Sequence, residues 1–402
     1  MSVNLATITA RAGATHAVCQ QPLVSFTFRN PHRHARHLVQ HSRLISCRQM
    51  SRSIMSQAGP KGAQGTSCSC AIKLILDFDG TLTMKDTMHV LAEAGYARQR
   101  KLQRDPQPRP WAEIVDAYMS DFKGHTDAYS PKATDRTKYD QETTWLNSLK
   151  PVENASIERA IEAGIFDRMS TADMTVAANE ALDSGQVRLR RGWTELLGFT
   201  KQHNNQLPLT NPDRLIQVIS VNWSACFVRQ ILRGSVQRAS EVEGRASPRW
   251  SGEVPVYANE LPSLVEDRAQ TAQGTTSGPM QHAQGAIRTS GDKVRVFKHL
   301  RDQADCGVDI LFIYVGDSTT DLECLLTSDV GICIHDDPMS SSQMELAATC
   351  ERLGVELLHI RDRKVFTPAS GRRLLWARDF REITDWLKGH RQSLNSLCSA
   401  AR

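Results

Sequence analysis

Not one aspartate or glutamate occurs before Asp77 in this 402-residue chain. Residues 1–70 instead carry eight basic side chains, from Arg11 to Lys61, among many serines and histidines. A secretory signal needs an apolar middle, which this stretch lacks, so it matches a mitochondrial transit peptide or a disordered basic arm. Met50 and Met55 offer later starts that would leave a cytosolic chain, and the expected compartment is mitochondrial or cytoplasmic with equal weight. The formal net charge is +5, and with those eight charges set aside the rest of the chain stands at −3. A mildly acidic body argues against a nucleic-acid partner.

Other absences narrow the class further. No apolar run approaches the roughly 18 residues that cross a bilayer, so no membrane span is expected. None of the ten cysteines forms a C-x-x-C pair; the nearest two, Cys68 and Cys70, have a single residue between them. That excludes the usual zinc and redox spacings and points to a reducing compartment, where the sequons at Asn154 and Asn222 play no part. The "HRHARH" run has no cysteine partner and reads as a solvated basic arm. No internal repeat is present.

What is there begins with "LILDFDGTLT", residues 74–83. Ile72, Leu74, Ile75 and Leu76 have the apolar run of a central parallel strand, which has no place for a carboxylate. Asp77 and Asp79 therefore fall at its end. Residues i and i+2 of an extended chain point the same way, so both converge beyond the carboxyl edge, where α/β sheets bind ligands. Like charges held together call for a cation or a shared proton, hence a metal site or an acid/base pair. A calcium loop fits poorly, because Gly80 sits at the fourth position rather than the sixth.

Residues 87–190 read as helices with apolar residues at three and four spacing and no strand between them, an all-helical cap inserted after the first strand. The core would then comprise residues 71–86 and 191–402, with a strand at "LIQVIS" and a loop-rich insert at about 235–290 broken by "VPVYANEL". From Lys293 the pattern is helix, strand "DILFIYVGD", helix, strand "VGICI", then "VELLHI". A final helix is expected in "LLWARDFREITDWL", with Leu375, Phe380, Ile383, Trp386 and Leu387 on its docking face. The expected fold is a doubly wound, Rossmann-like, mostly parallel α/β sheet carrying a helical cap.

A second strand-end carboxylate follows in "LFIYVGDSTTD", where Asp317 ends a strand and Asp321 lies one turn on. Ser220 ends "IQVIS", and Lys293 opens a helix in "SGDK". Phosphoryl transfer accounts for every residue type. A carboxylate can attack phosphorus only if the charge between two anions is neutralised. Magnesium, held by the Asp77 carboxylate, the Asp79 carbonyl and Asp317, would do that. Ser220 and Lys293 would hold phosphate oxygens, and Asp79 would protonate the leaving alcohol.

"DFDGT", "VISVNWS", "SGDK" and "GDSTTD", in that order over about 250 residues, resemble the four motifs of the haloacid dehalogenase superfamily of phosphohydrolases. The resemblance implies Asp77 as nucleophile, Asp79 as acid/base and metal ligand, Lys293 and Ser220 on phosphate, Asp317 on the metal and Asp321 as its support. Thr81, Asn222 and Trp223 complete the expected substrate-binding set. An aspartate at position 79 points to a phosphatase or a phosphomutase rather than a dehalogenase, which lacks an acid there. "SVNWS", "ANEL" and "GDSTTDLECLLTSDVGICI" are also similar to the phosphatase domain of plant thiamin monophosphate phosphatase, itself phosphoserine-phosphatase-like. A thiazolium substrate would favour aromatic faces, with Trp111, Tyr118, Trp145 and above all Trp223 as candidates. Arg188, Arg190 and Arg191 read as a solvated charge run. The expected function is magnesium-dependent hydrolysis of a small phosphorylated metabolite, the alternatives being a mutase or a non-catalytic phosphate-binding protein on the same fold.

Overall fold

The computed structural model describes residues 70–205, 207, 215–242, 254–264, 285–304, 308–362, 372–390 and 393–394. The acid-free N-terminal segment and residues 243–253 and 265–284 of the expected loop-rich insert lie outside them. The chain enters through β1 (Ala71–Leu76) and then runs through α1 (Met88–Lys101), α2 (Trp111–Ala128), α3 (Tyr139–Ser148), α4 (Lys150–Glu162), α5 (Thr171–Asp183) and α6 (Trp193–Asn204). It returns by β2 (Ile216–Ile219), α7 (Ala225–Val242) and β3 (Val256–Tyr257). Then come α8 (Ser290–Asp302), β4 (Ile310–Gly316), α9 (Leu322–Thr327), β5 (Val330–Ile334), α10 (Ser341–Arg352), β6 (Glu356–His359), β7 (Arg373–Ala377) and α11 (Phe380–Gly389).

The strands form one sheet in the order β3-β2-β1-β4-β5-β7-β6, parallel at every pairing. β1 is enclosed on both edges, with Leu74 opposite Ile216 on β2 and Ile313 on β4. Its two faces are covered as well. Ile72, Leu74 and Leu76 join Trp193, Phe227 and Phe380 in one apolar cluster. Ile75 joins Phe297, Leu325 and Leu346 in the other. This is the physical reason for the unbroken apolar run, and the doubly wound parallel expectation holds.

From β1 the chain moves outward to β2 and β3, then crosses back to β4 on the other side of β1. The order of winding reverses there, so the carboxyl ends of β1 and β4 border a crevice.

The segment between β1 and α6 is helical throughout, and its α3–α4 corner is fastened to the start of α8. Asn147 Oδ1 accepts from the Gly291 N–H and the Thr289 hydroxyl, both at 2.9 Å. Lys150 pairs with Asp292 at 2.8 Å. Lower on the same side, Glu142 takes both Arg136 and Arg352, at 2.9 and 2.7 Å.

Three sequence expectations change. The stretch after residue 235 is not loop at once, because α7 continues to Val242, with Gly234 close against Leu182 and Arg238 paired to Asp183. Ser240 is buried and Ser235 accepts from the Trp193 indole, so this stretch is a packed helix rather than a linker. The expected final helix is two elements. Leu375 lies on β7, between β5 and β6, and the helix starts only after Asp379, whose carboxylate accepts from the amides of Arg381 and Glu382. The helix α10 was absent from the sequence reading, although Ser340 and Gln343 form a reciprocal cap at its start.

Candidate active site

At the end of β1 the chain breaks into a tight turn over Phe78–Leu82, closed by the Thr83 amide donating to the Phe78 carbonyl at 3.0 Å. Gly80 takes φ +77° in this turn, and a Cβ there would come within 2.4 Å of Asp317 Oδ2. Glycine is thus required twice, for its backbone and for the approach of Asp317. Gly316, at the end of β4, is needed similarly, since a Cβ would lie 2.4 Å from the Asp321 Cγ.

The two strand ends and the first turn of α8 converge. Lys293 Nζ, fully buried, donates to Asp77 Oδ1 at 2.8 Å and to Asp321 Oδ1 at 2.7 Å. Asp321 is further bound by the Tyr314 hydroxyl at 2.7 Å on Oδ1 and by the amides of Asp317 and Ser318 on Oδ2. Asp317 accepts from Thr81 Oγ1 at 2.9 Å and from Ser342 Oγ at 3.1 Å. Asp77, Asp317 and Asp321 each offer an oxygen within 4.8 Å of the others.

Three carboxylates against one ammonium leave two negative charges uncompensated in a buried place. Burial and the Asp321 charge push the Asp77 carboxyl well above its ordinary range, against the pull of Lys293. The same two causes push Asp317 up to about 7. Burial would lower the Lys293 ammonium, but Asp321 and Asp77 outweigh it and hold it above its usual value. Such a cluster fits a divalent cation with oxygen ligands. Asp77 and Asp317 line the cavity whereas Asp321 lies behind them, bound by Lys293, Tyr314 and two amides, so those two are the carboxylates placed to hold one.

Asp79 occupies a different environment. Its Oδ1 accepts from the Thr87 amide and hydroxyl at 2.9 and 2.7 Å, and its Oδ2 accepts from Asn222 Nδ2 at 2.8 Å. Burial raises its pKa despite these three bonds. Asp77 and Asp79 therefore share one cavity but belong to separate hydrogen-bond sets, because the chain has left the strand at Asp77.

The remaining expected residues are placed unevenly. Asn222 and Trp223 line the cavity, with Trp223 edge-on to Trp111 and Phe166 at 6.0 and 6.3 Å. Ser220 lies behind them, its hydroxyl accepting from the Asn222 amide at 3.1 Å. Thr81 is fully buried and faces Asp317. Tyr118 donates to Glu153 and Trp145 lies under Arg136, both away from the cavity lining.

Several lining residues were not foreseen: Asp86, Asp336, Ser342 and Gln343. Asp336 and Ser342 follow β5, whose carboxyl end was legible, but no motif marked the loop beyond it. Asn259, in "ANEL", holds the cavity wall, its Nδ2 donating to the carbonyls of Val221, Asn222 and Ile287. Arg190 is buried rather than solvated, which corrects the reading of the arginine run.

No protein-family model matches the chain. It is similar to a CTO1 family protein of Schizosaccharomyces pombe, 26% identical over 317 residues that cover 78% of this chain and 96% of the relative. Cold tolerance protein 1 of Saccharomyces cerevisiae is 20% identical, with 70% and 84% covered. The bifunctional TH2 protein of Arabidopsis thaliana, named as mitochondrial, is 24% identical, with 64% of this chain matching 38% of that protein. Among solved structures, a phospho-aspartyl intermediate analogue of phosphoserine phosphatase aligns over 79% of this chain and 99% of its own, at 10% identity and a TM-score of 0.31. A HAD family hydrolase from Salmonella enterica aligns over 66% and 63%, at 13% identity and a TM-score of 0.24. Superpositions this loose add nothing to the strand order and site geometry already described.

Proposed function

We propose that this chain is a magnesium-dependent phosphatase of the haloacid dehalogenase type, hydrolysing a small phosphomonoester through an aspartyl-phosphate on Asp77. The observation that carries this is Lys293 bridging Asp77 and Asp321 beside Asp317, with two charges left to neutralise at the carboxyl edge of the sheet. Asp77, Asp317 and the Asp79 carbonyl would hold a magnesium ion, whose charge offsets that of the cluster and of a phosphate dianion.

Lys293 pulls Asp77 toward its ionised form, which a bound cation would complete, and fixes one of its oxygens, leaving the other to attack phosphorus. Asp79, its pKa raised by burial, gives its proton to the departing alkoxide. It then takes a proton from water, which attacks the phosphorus of the aspartyl-phosphate, releasing phosphate and restoring Asp77. Thr87 and Asn222 hold Asp79 in place for both steps. The helices α1–α5 serve as the cap, and Met84 and Met88 at their entry line the cavity.

The lining also supports a substrate class. Asp77, Asp79, Asp86, Asp317 and Asp336 face Lys85 as the sole cation among the described lining residues. A positively charged alcohol suits such a wall, and Trp223 offers an aromatic face beside it. Thiamin monophosphate, with its thiazolium, meets both requirements, in keeping with the resemblance drawn from the sequence. Phosphoserine, whose carboxylate would meet further carboxylates, does not.

The test is phosphate release from a panel of phosphomonoesters, including these two, with magnesium, with EDTA, and with Asp77→Asn. Release that needs both magnesium and Asp77 is the expected result. A phosphate ester isomerised without free phosphate would replace hydrolase by mutase, and no turnover of any ester would leave a binding protein.

A further inference from the structure

Arg190 is 2% exposed, and a buried guanidinium is costly unless each of its five N–H groups has an acceptor. All five do. Nε donates to the Thr81 carbonyl at 3.0 Å. Nη1 donates to the Asp336 carboxylate and to the Arg378 carbonyl. Nη2 donates to the Gly80 carbonyl at 2.7 Å and to Asp336 Oδ2 at 3.3 Å.

The backbone of Arg190 belongs to the segment leaving the helical insert, and that segment pairs with the one entering it. The Arg190 amide donates to the Leu82 carbonyl at 2.7 Å, Leu189 bridges Thr83 in antiparallel fashion, and the Met84 amide donates to the Arg188 carbonyl at 2.9 Å. The two passages thus form a short ribbon. From it, the Arg190 side chain reaches the carbonyls of the turn that carries Asp79, presses Gly80 on Asp317 and aims Thr81 at the same carboxylate.

We infer that Arg190 is a positioning residue that ties the placement of the insert to the geometry of the nucleophile turn; its kinetic consequence rests on the phosphatase reading above. A displacement of the ribbon is transmitted through the fork to the Gly80 and Thr81 carbonyls, and from there to Asp79 and Asp317. Charge alone would need only Asp336. Two carbonyls of the turn and a third from Arg378 require a planar fork, and a lysine, whose donors radiate from one atom, cannot span them.

The experiment compares the full chain with its Arg190→Lys variant by hydrogen exchange and by steady-state hydrolysis of p-nitrophenyl phosphate with magnesium. Amides of residues 78–83 are expected to exchange about tenfold faster while those of α11 keep their rates. With them, kcat falls by at least about tenfold while KM stays within about threefold. Unchanged exchange in the turn overturns the positioning role, and so does a uniform rise across the sheet, which would mark general loss of stability. Wild-type kcat alongside a loosened turn overturns its kinetic part. If the wild-type protein hydrolyses no phosphomonoester, the phosphatase reading fails while the exchange rates still decide whether Arg190 holds the turn. Should Arg190→Lys not fold, Asp336→Asn carries the same two readouts, with smaller shifts in the same direction.

Discussion

Two of the buried charge clusters among the described residues are built to opposite ends. Around Glu142, two guanidiniums share one carboxylate, Arg352 also donates to the Arg136 carbonyl, and Arg136 lies 4.6 Å over the Trp145 ring. Glu345 stands nearby as a second carboxylate, raised by burial and by Glu142 and drawn back by Arg136 and Arg352, so two carboxyl groups face two guanidiniums. Around Lys293 the count does not close, and two of the three carboxylates line an open cavity. A matched cluster holds the insert to the core. An unmatched one waits for a ligand.

The largest expected effect breaks the second cluster at Asp77, the proposed nucleophile. Asp77→Asn should lower phosphate release by at least about a thousandfold, as removal of a covalent catalyst does, while folding is retained. Loss of activity without a folded protein would leave the point open to a structural cause, so the melting temperature is measured beside it.

The next contrast is in stability. Glu142→Gln removes the carboxylate that bridges buried Arg136 and half-buried Arg352 and should destabilise by about 3 kcal/mol in urea unfolding. Asp317→Asn removes a like charge from an overcharged cluster and should leave the metal-free protein as stable as before or more so. If Asp317→Asn proved the more damaging, the distinction between matched and unmatched clusters would fall.

Magnesium sharpens the same comparison. At about one hundred times its dissociation constant it should stabilise the wild-type protein by about 2.7 kcal/mol. The shift should persist in Glu142→Gln and vanish in Asp317→Asn, as read by thermal unfolding with and without the ion.

A smaller effect is expected at the surface. Arg238→Ala removes the pair with Asp183, where Asp183 is exposed and Arg238 partly so, and should cost no more than about 0.5 kcal/mol. A larger loss would show that α5 and α7 depend on that pair rather than on packing.

The strand ends were legible because an apolar run that stops at a carboxylate states both its burial and its edge. Asp77, Asp317 and the helix start at Lys293 could be placed from that rule, together with the parallel sheet. Arg190 could not. Arg188 and Arg191 beside it are exposed, and which arginine turns inward depends on the bridge between Leu189 and Thr83, a contact between residues 106 apart. Ser220 illustrates another limit. Its position at the end of β2 was read correctly, but the turn after it brings Asn222 and Trp223 to the cavity in front of it. β7 was mistaken for helix because Leu374, Leu375 and Trp376 run directly into an amphipathic stretch, and only pairing on both sides makes them a strand.

The grip of Asn147 on the first turn of α8 bears on modularity. That helix delivers Lys293, and its Gly291 amide and Thr289 hydroxyl are answered by an amide oxygen from the insert. Gly291 has no room for a side chain, since a Cβ would meet Asn147 Oδ1 at 2.3 Å. Insert and core therefore cannot be exchanged as independent parts. A transplanted insert must bring its own acceptor to that spot, and a core trimmed of residues 87–190 would present Lys293 on a helix with a frayed end.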